Sequence, residues 1–271
     1  MIIQHNIAAI NSYRNLGVNQ SGLNKNLEKL SSGYRINRAG DDAAGLAISE
    51  KMRSQINGLN QATKNAQDAI GLIQTVEGAL TETHSMLQRL TTLASQSANG
   101  TYNTVARGNL DQEVQDLLKE IDRIADNTDF NGIKPIAATG TGNMTFQIGP
   151  SSGETLLLNA SNMTSTSIGV KSIDVKDRAG ANKAIDTIKT AIDKVSSYRA
   201  TLGAAQNRLE HTVNNLKVSS ENITAAESRI RDTDMADEIT AFTKNNILLQ
   251  ASQSMLAQSN SVPQSILSLL G

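Results

Sequence analysis

The sequence contains no cysteine and no tryptophan, and it has only three phenylalanines and three prolines in 271 residues. Without cysteine there is no disulfide framework, no thiolate ligand for a metal ion and no cysteine nucleophile. Aromatic residues make up 3% of the chain, so the large side chains that fill thick globular cores are scarce. We therefore expect aliphatic side chains at helical spacing to form the core.

The chain also lacks a strong net charge and a long apolar run. Its formal net charge is -1, which provides no basic surface for nucleic acid or for a membrane. No run approaches the roughly 18 apolar residues of a membrane-spanning helix. The amino terminus shows no basic leader followed by an unbroken apolar run. We expect no nucleic-acid binding, no membrane insertion and, if the protein is exported, a route without a signal peptide.

Motifs of catalytic and metal sites are missing too. His5, His84 and His211 lie far apart, and no His-Glu-x-x-His sequence supplies zinc-ligand spacing. There is no Gly-x-Ser-x-Gly nucleophile motif and no glycine-rich phosphate loop. The sequence therefore predicts no catalytic residue, no metal, no cofactor and no enzyme activity.

The strongest positive signal is a heptad pattern over residues 181 to 230, which contain no proline. Apolar residues recur there in alternating steps of four and three, as in a coiled coil. They are Ala181, Ile185, Ile188, Ile192, Val195, Leu202, Leu209, Val213, Leu216, Ile223 and Ile230. Polar residues fill the remaining heptad positions, at Arg199, Gln206, Ser220 and Glu227. They either set helix register and partner choice or lie at the rim of a bundle.

Three more helices precede this one. The first runs from Ile2 to about Leu30, where Ser31-Ser32-Gly33 offers a glycine cap. The second starts after Asp41-Asp42, whose charges suit a helix amino terminus, and ends at Asn99-Gly100. The third spans about Val105 to Asp126, with heptad positions at Leu110, Val114, Leu117, Ile121 and Ile124.

The region from residue 131 to 180 is rich in glycine and predicts turns instead of long helices. Met144, Phe146 and Ile148 alternate with polar residues, and the apolar run Leu156 to Leu158 follows a Gly-Pro-Ser-Ser-Gly turn. This pattern is typical of a β-hairpin.

A last helix follows the polar segment 231–237 and carries two apolar heptad rows, and Pro263 should kink or restart it. One row is Phe242, Leu249, Leu256 and Leu270, and the other is Ala241, Leu248, Met255, Val262 and Leu269. Its apolar side needs a partner, and the first helix has the matching length. We expect the two ends to pair, to stay largely disordered in the monomer and to fold when neighbouring chains add surface.

The predicted fold is mainly α, a long-helix coiled-coil bundle formed by amino- and carboxy-terminal segments with a small β-hairpin region at its outer tip. Residues 1–42 and 231–271 form the inner coiled coil of terminal helices. Residues 43–180 and 181–230 form the outer bundle, including the hairpin region at about 131–180. The predicted assembly residues lie in the terminal helices: Ile3, Ile7, Ile10, Leu23, Leu27, Leu30, Phe242, Leu249 and Leu256.

Several long stretches resemble one family. They are Gln4-His5-Asn6-Ile7, the twenty residues from Leu30 to Ser49 (LSSGYRINRAGDDAAGLAIS), Gln96 to Thr101, Ile223 to Glu238, and Val262 to Leu270. These stretches closely resemble bacterial flagellin, the subunit of the flagellar filament. The resemblance implies a structural protein that self-assembles into an extracellular filament for swimming motility. It further implies export of the unfolded chain by the flagellar secretion apparatus, a chaperone for the carboxy-terminal helix, and addition beneath a distal filament cap.

The resemblance also implies recognition by innate immune receptors. A host Toll-like receptor detects some flagellins through residues that correspond to Arg89, Leu93 and Glu113. Thr92 stands where strongly recognised members have glutamate. Leu267, Leu269 and Leu270 resemble the leucines sensed by cytosolic inflammasome receptors.

Three alternatives remain open at this point. A hook-filament junction protein shares flagellin-like ends but does not polymerise on its own. A flagellin with a zinc protease in its middle region would require the His-Glu-x-x-His motif that this chain lacks. A free coiled-coil adhesin would form no filaments.

Overall fold

The computed structural model describes residues 5–137 and 142–270, with the backbone only for residues 266–270. The helices are α1 (Ile7–Ser32), α2 (Ala43–Ala98), α3 (Thr104–Asn127), α4 (Ser165–Ile168), α5 (Arg178–Arg231) and α6 (Met235–Leu270). Two strands, β1 (Met144–Gln147) and β2 (Thr155–Leu158), pair antiparallel. The predicted mainly helical fold with one hairpin is confirmed. None of the described helices is long and apolar enough to cross a membrane.

Local capping explains why the helices end where the sequence predicted. Gly33 has a left-handed backbone (φ 74°), and its N–H donates to the carbonyl of Lys29, which closes α1. The side chain of Asn103 accepts from the N–H of Ala106 and opens α3. Asp42 accepts from the N–H of Gly45, 2.9 Å away, at the start of α2.

Asp41 does not cap α2 beside Asp42. Its carboxylate accepts from the backbone N–H groups of Arg38, at 3.1 Å, and Asn37, at 3.3 Å. These hydrogen bonds, chiefly the one from Arg38, lower the pKa of Asp41. Asp41 therefore stabilises the loop before α2.

The chain packs as two units. We call residues Asn57–Ser220 the central unit, and Met1–Ile56 with Glu221–Gly271 the terminal unit. The boundaries between the two units lie inside α2 and α5, whereas the sequence predicts domain boundaries near the helix ends, at residues 42 and 231. Residues 43–56 of α2 and 221–231 of α5 thus belong with the terminal helices.

The core of the central unit is formed by α2, α3 and α5, and it uses wider helix faces than a two-stranded coiled coil does. On α5 the predicted row from Ala181 to Leu216 is buried, but Ile185 and Ile192 are only partly buried. A further row takes their place: Ala184, Ala191, Tyr198 and Ala205. An additional buried row is expected when a helix faces more than one neighbour.

On α3 the buried row is displaced by one residue from the prediction. Leu118 and Ala125 are buried, whereas Leu117 and Ile124 lie half-exposed at the edge. Val114 and Ile121 are buried as predicted. One residue corresponds to about 100° of rotation around the helix, so the heptad pattern located the correct side of α3 but not its centre.

The hairpin and the segment that follows it pack on the core of the central unit. Leu156 and Leu158 of β2 are buried, and the side-chain amide of Asn65 in α2 donates to the carbonyl of Gln147 at 3.1 Å. The short helix α4 was not predicted. The carboxylate of Asp122 in α3 holds it by accepting from the backbone N–H of Ser165, at 2.7 Å, and from its hydroxyl, at 2.8 Å.

Of the two predicted effects of Pro263, a kink or a restart of the last helix, the restart does not occur, because α6 continues through Pro263 to Leu270. A proline inside a helix removes one backbone donor, which leaves the carbonyl four residues earlier without its helical partner. That carbonyl belongs to Ser259.

The core assignment predicts that Ile188→Ala destabilises the central unit by about 2 to 5 kcal/mol, because Ile188 is fully buried and its truncation leaves a cavity. Val218→Ala, on the same helix at a side chain that is 57% exposed, should change stability by less than about 0.5 kcal/mol. Guanidinium unfolding followed by circular dichroism measures both. Equal midpoints for the two variants would contradict the assigned core.

Candidate assembly surface

The helices α1 and α6 pack against each other in antiparallel fashion. Asn6 at the start of α1 bonds to Ser259 near the end of α6, and the Asn19 amide donates to the hydroxyl of Ser252 at 2.8 Å. The predicted pairing of the two terminal helices is thus seen within the terminal unit.

The contact between α1 and α6 contains one apolar and one polar heptad row from each helix. The apolar rows are Leu16, Leu23 and Leu30 on α1, and Phe242, Leu249 and Leu256 on α6. The polar rows are Ser12, Asn19 and Asn26 on α1, and Glu238, Asn245, Ser252 and Ser259 on α6. Polar groups at such positions lower the stability of a helix pair and favour one register.

None of the described apolar side chains of α1 or α6 is fully buried. The buried residues of this pair are instead polar, Asn26 on α1 and Glu238 on α6. The ammonium group of Lys29 lies 3.6 Å from the carboxylate of Glu238. The two helices therefore gain little hydrophobic stabilisation from each other.

The predicted assembly residues separate into two groups. Five of them, Leu23, Leu30, Phe242, Leu249 and Leu256, lie half-buried between α1 and α6. Ile7, Ile10 and Leu27 are exposed, with 60% of Ile7 open to solvent. Ile3 lies outside the described residues.

A second apolar row on α6 is exposed. It contains Leu248, Met255 and Val262, and Met255 is 64% open to solvent. These positions belong to the row that starts at Ala241 in the sequence, whereas the Phe242 row faces α1. The described part of the chain thus leaves one of the two predicted apolar rows of α6 uncovered.

The loop between α1 and α2 is bound to the loop between α5 and α6. The N–H of Arg35 donates to the carbonyl of Arg231 at 2.7 Å, and the N–H of Thr233 donates to the carbonyl of Gly33 at 3.0 Å. The guanidinium of Arg231 lies 4.7 Å from the ring centre of Tyr34 and 2.8 Å from the carboxylate of Glu50. These contacts hold the adjoining ends of four helices together.

Close packing at this junction also requires a glycine. A Cβ atom at position 45 would lie 2.8 Å from the Cδ1 of Ile36 and 2.4 Å from the Oδ2 of Asp42. Ile36 is buried, and Asp42 caps α2, so neither can move aside without loss. Gly45 lets the loop before α2 pack directly on that helix.

Three of the four polar residues in the heptad pattern of α5 contact α2. Within the terminal unit Glu227 lies 3.7 Å from Arg53, and within the central unit Arg199 lies 3.5 Å from Glu77. Ser220 donates to the side chain of Asn60 at 3.2 Å. Gln206 bonds instead to Glu210 on its own helix. These contacts favour the interpretation that polar heptad residues help to set the α2–α5 register.

The residues assigned to immune recognition differ in exposure. Arg89 and Glu113 form an exposed ion pair at 2.8 Å, and the hydrogen bond from Arg89 to Glu113 raises the pKa of Arg89. Leu93 is 1% exposed and lies in the core. The backbone of α6 extends through Leu267, Leu269 and Leu270, whose side chains lie outside the described set.

Among the described residues no cluster of histidine, aspartate and glutamate could hold a metal ion. The sequence pattern did not predict the polar contacts between α1 and α6 that Asn6 and Asn19 make. A signal for Asn19 was present, because Ser12, Asn19 and Asn26 recur at seven-residue spacing beside the leucine row. The contact of Asn6 with Ser259 follows no repeat.

Comparison with known proteins identifies the family. Residues 3–141 match the bacterial flagellin N-terminal helical region, and residues 185–270 match the bacterial flagellin C-terminal helical region. The chain is 53% identical over 272 residues to a flagellin of Halalkalibacterium halodurans and 50% identical over 303 residues to a flagellin of Bacillus subtilis strain 168, with all of each chain covered.

A solved structure agrees with these matches. The crystal structure of Bacillus cereus flagellin is 38% identical to this chain, with a TM-score of 0.53 over 60% of this chain and 94% of that one. None of these findings favours a hook-filament junction protein. The chain therefore belongs to the bacterial flagellins, structural proteins without enzymatic activity that self-assemble into the flagellar filament outside the cell.

Proposed function

We propose that the terminal unit provides the contacts between subunits, with α1 and α6 in the interior of the filament. The observation that carries this proposal is that both long helices bear apolar side chains, none of which is fully buried among those described. Most of the exposed large apolar side chains of the described chain also lie on these two helices. They are Ile7, Ile10, Tyr13, Val18 and Leu27 on α1, and Met235, Ile239, Ile247, Leu248, Met255 and Val262 on α6.

Neighbouring copies of the same chain are the occupants that suit these faces. A helix needs apolar burial to offset the conformational entropy that it loses on ordering. The α1–α6 contact supplies little of it, because half of its positions are polar. We propose that the two helices become fully ordered on assembly, when further chains cover Ile7, Ile10 and the Met255 row.

We further propose that the chain is exported unfolded and added at the distal tip of the filament. The low apolar burial in α1 and α6 supports this order of events, because these segments cost little to unfold. An export chaperone would cover the apolar rows of α6 before assembly, and the secretion apparatus and filament cap would act after it. The hairpin region of the central unit would face outward.

Deletion of residues 240–271 should abolish polymerisation and leave the central unit folded, because it removes nearly all of α6 and no part of residues 57–220. Electron microscopy of concentrated, seeded protein detects filaments, and circular dichroism melting reports on the central unit. Normal filaments from the truncated chain would refute the role of α6. Loss of the central unit's unfolding transition would refute its independence from α6.

Met255→Lys should raise the critical concentration for polymerisation by about tenfold or more, since an exposed methionine that becomes buried between subunits contributes about 1.5 to 3 kcal/mol. Leu157→Lys is the matched control, because Leu157 is a similarly exposed apolar residue (54%) in the hairpin. It should assemble like the unmodified chain. Pelleting of filaments over a concentration series measures both, and equal effects would contradict the assigned surface.

A second proposal concerns recognition of this chain by a host Toll-like receptor. The supporting observation is the exposed Arg89–Glu113 ion pair, which joins α2 to α3. We propose that these two side chains contact the receptor and that Leu93, which is buried in the core, maintains the position of α2. The proposed roles of Leu267, Leu269 and Leu270 in inflammasome sensing rest on the resemblance of the carboxy-terminal sequence.

The double variant Arg89→Ala, Glu113→Ala should bind a purified Toll-like receptor ectodomain at least about tenfold more weakly, because it removes a charged pair from the proposed contact. The control is Glu120→Ala, Arg123→Ala, which removes another exposed ion pair from α3. Surface plasmon resonance compares the two. Unchanged binding of the first variant would sink the proposal.

A further inference from the structure

Pro263 leaves one carbonyl of α6 in need of a donor. In a regular helix the N–H of residue 263 would bond to the carbonyl of Ser259, but proline has no N–H. Pro263 is the only proline in α6 by sequence. In the interior of this helix, proline removes the helical N–H donor of one carbonyl, that of Ser259.

Asn6 supplies the missing donor from the other helix. Its Nδ2 lies 2.8 Å from the carbonyl oxygen of Ser259. Its Oδ1 accepts from the N–H of Ala9 at 3.1 Å and so caps the start of α1. Because the cap requires the oxygen of the amide, the nitrogen is directed toward α6. One side chain thus completes both the first turn of α1 and the interrupted hydrogen-bond pattern of α6.

The heptad rows of α1 and α6 do not by themselves select one register. Leucine recurs every seven residues at Leu16, Leu23 and Leu30, and polar residues recur at Ser12, Asn19 and Asn26. On α6 the rows repeat in the same way, with Leu249 seven residues before Leu256. A slip of seven residues would again place apolar rows together and polar rows together.

We propose that Asn6, Ser259 and Pro263 select the register in which α1 and α6 pair. After a slip of seven residues Asn6 would face the carbonyl of Ser252, which has a helical donor in the N–H of Leu256. The carbonyl of Ser259 would then lose the donor that Asn6 supplies. The Lys29–Glu238 pair at the other end of the contact favours the same register, but its lysine is partly exposed to solvent and such pairs tolerate displacement.

The absence of cysteine allows a direct test by disulfide cross-linking. Asn19→Cys with Ser252→Cys reports the observed register, because these side chains are in contact. Asn19→Cys with Asn245→Cys, or with Ser259→Cys, reports a slip of seven residues in either direction. Each cysteine pair is oxidised in assembled filaments, because the test rests on the proposal that α1 and α6 are ordered there. Mass spectrometry then identifies the cross-links that lie within one chain.

Asn6→Ser in these backgrounds separates the two roles of Asn6. Serine caps a helix about as well as asparagine, but its shorter side chain cannot reach Ser259. The ratio of slipped to observed cross-links should rise by about two- to tenfold, which is the range expected for one lost hydrogen bond. Pro263→Ala with Asn6 intact should raise the ratio as well, and adding it to Asn6→Ser should cause no further rise, because the N–H of alanine supplies the Ser259 carbonyl with a donor inside α6 in every register. Asn11→Ser, at an exposed asparagine of α1, is the matched control and should change nothing.

The outcomes are distinguishable. An unchanged ratio in Asn6→Ser, or a further rise when Pro263→Ala is added to it, would overturn the register proposal. Lack of a cross-link between positions 19 and 252 in filaments with Asn6 intact would overturn the α1–α6 pair itself, and the register proposal with it.

Discussion

The terminal helices α1 and α6 carry apolar rows that the rest of the subunit does not cover. The leucines in the contact between these helices, such as Leu23 and Leu249, are only half-buried, while Ile7 and Met255 are exposed to solvent. We propose that apolar surface of this extent is removed from water when identical chains associate. Its burial would then be the physical cause of self-assembly.

The central unit, in contrast, buries its apolar side chains within the subunit. Its three long helical segments bury continuous rows such as Ile188, Val195 and Leu202, and the hairpin and the segment around Ser165 add further apolar contacts. Buried apolar surface of this extent favours folding without a neighbour. One chain thus combines a part with a buried core of its own and a part whose stability we propose to depend on assembly.

Polar residues between α1 and α6 serve specificity at a cost in stability. Asn19, Asn26 and Glu238 occupy positions where leucine would bind the two helices more strongly. A helix pair with leucine at these positions would bury its apolar rows between α1 and α6 themselves, and its several registers would be equally stable. Polar contacts with defined partners, such as that of Asn6 with Ser259, favour a single arrangement at the moment when neighbouring chains arrive.

The type and the approximate bounds of nearly all the elements follow from the sequence, because heptad spacing and helix caps are local properties. Gly33 and Asp42 mark helix ends in the sequence as clearly as in the structure. The tertiary structure decided which of two adjacent rows is buried, for example Leu118 in place of Leu117 on α3, and that Leu93 is internal. It also paired Asn6 with Ser259, which lie 253 residues apart. Periodicity defines a helix face only to within about one residue, and the number and direction of neighbouring helices, which depend on the whole chain, set the rest.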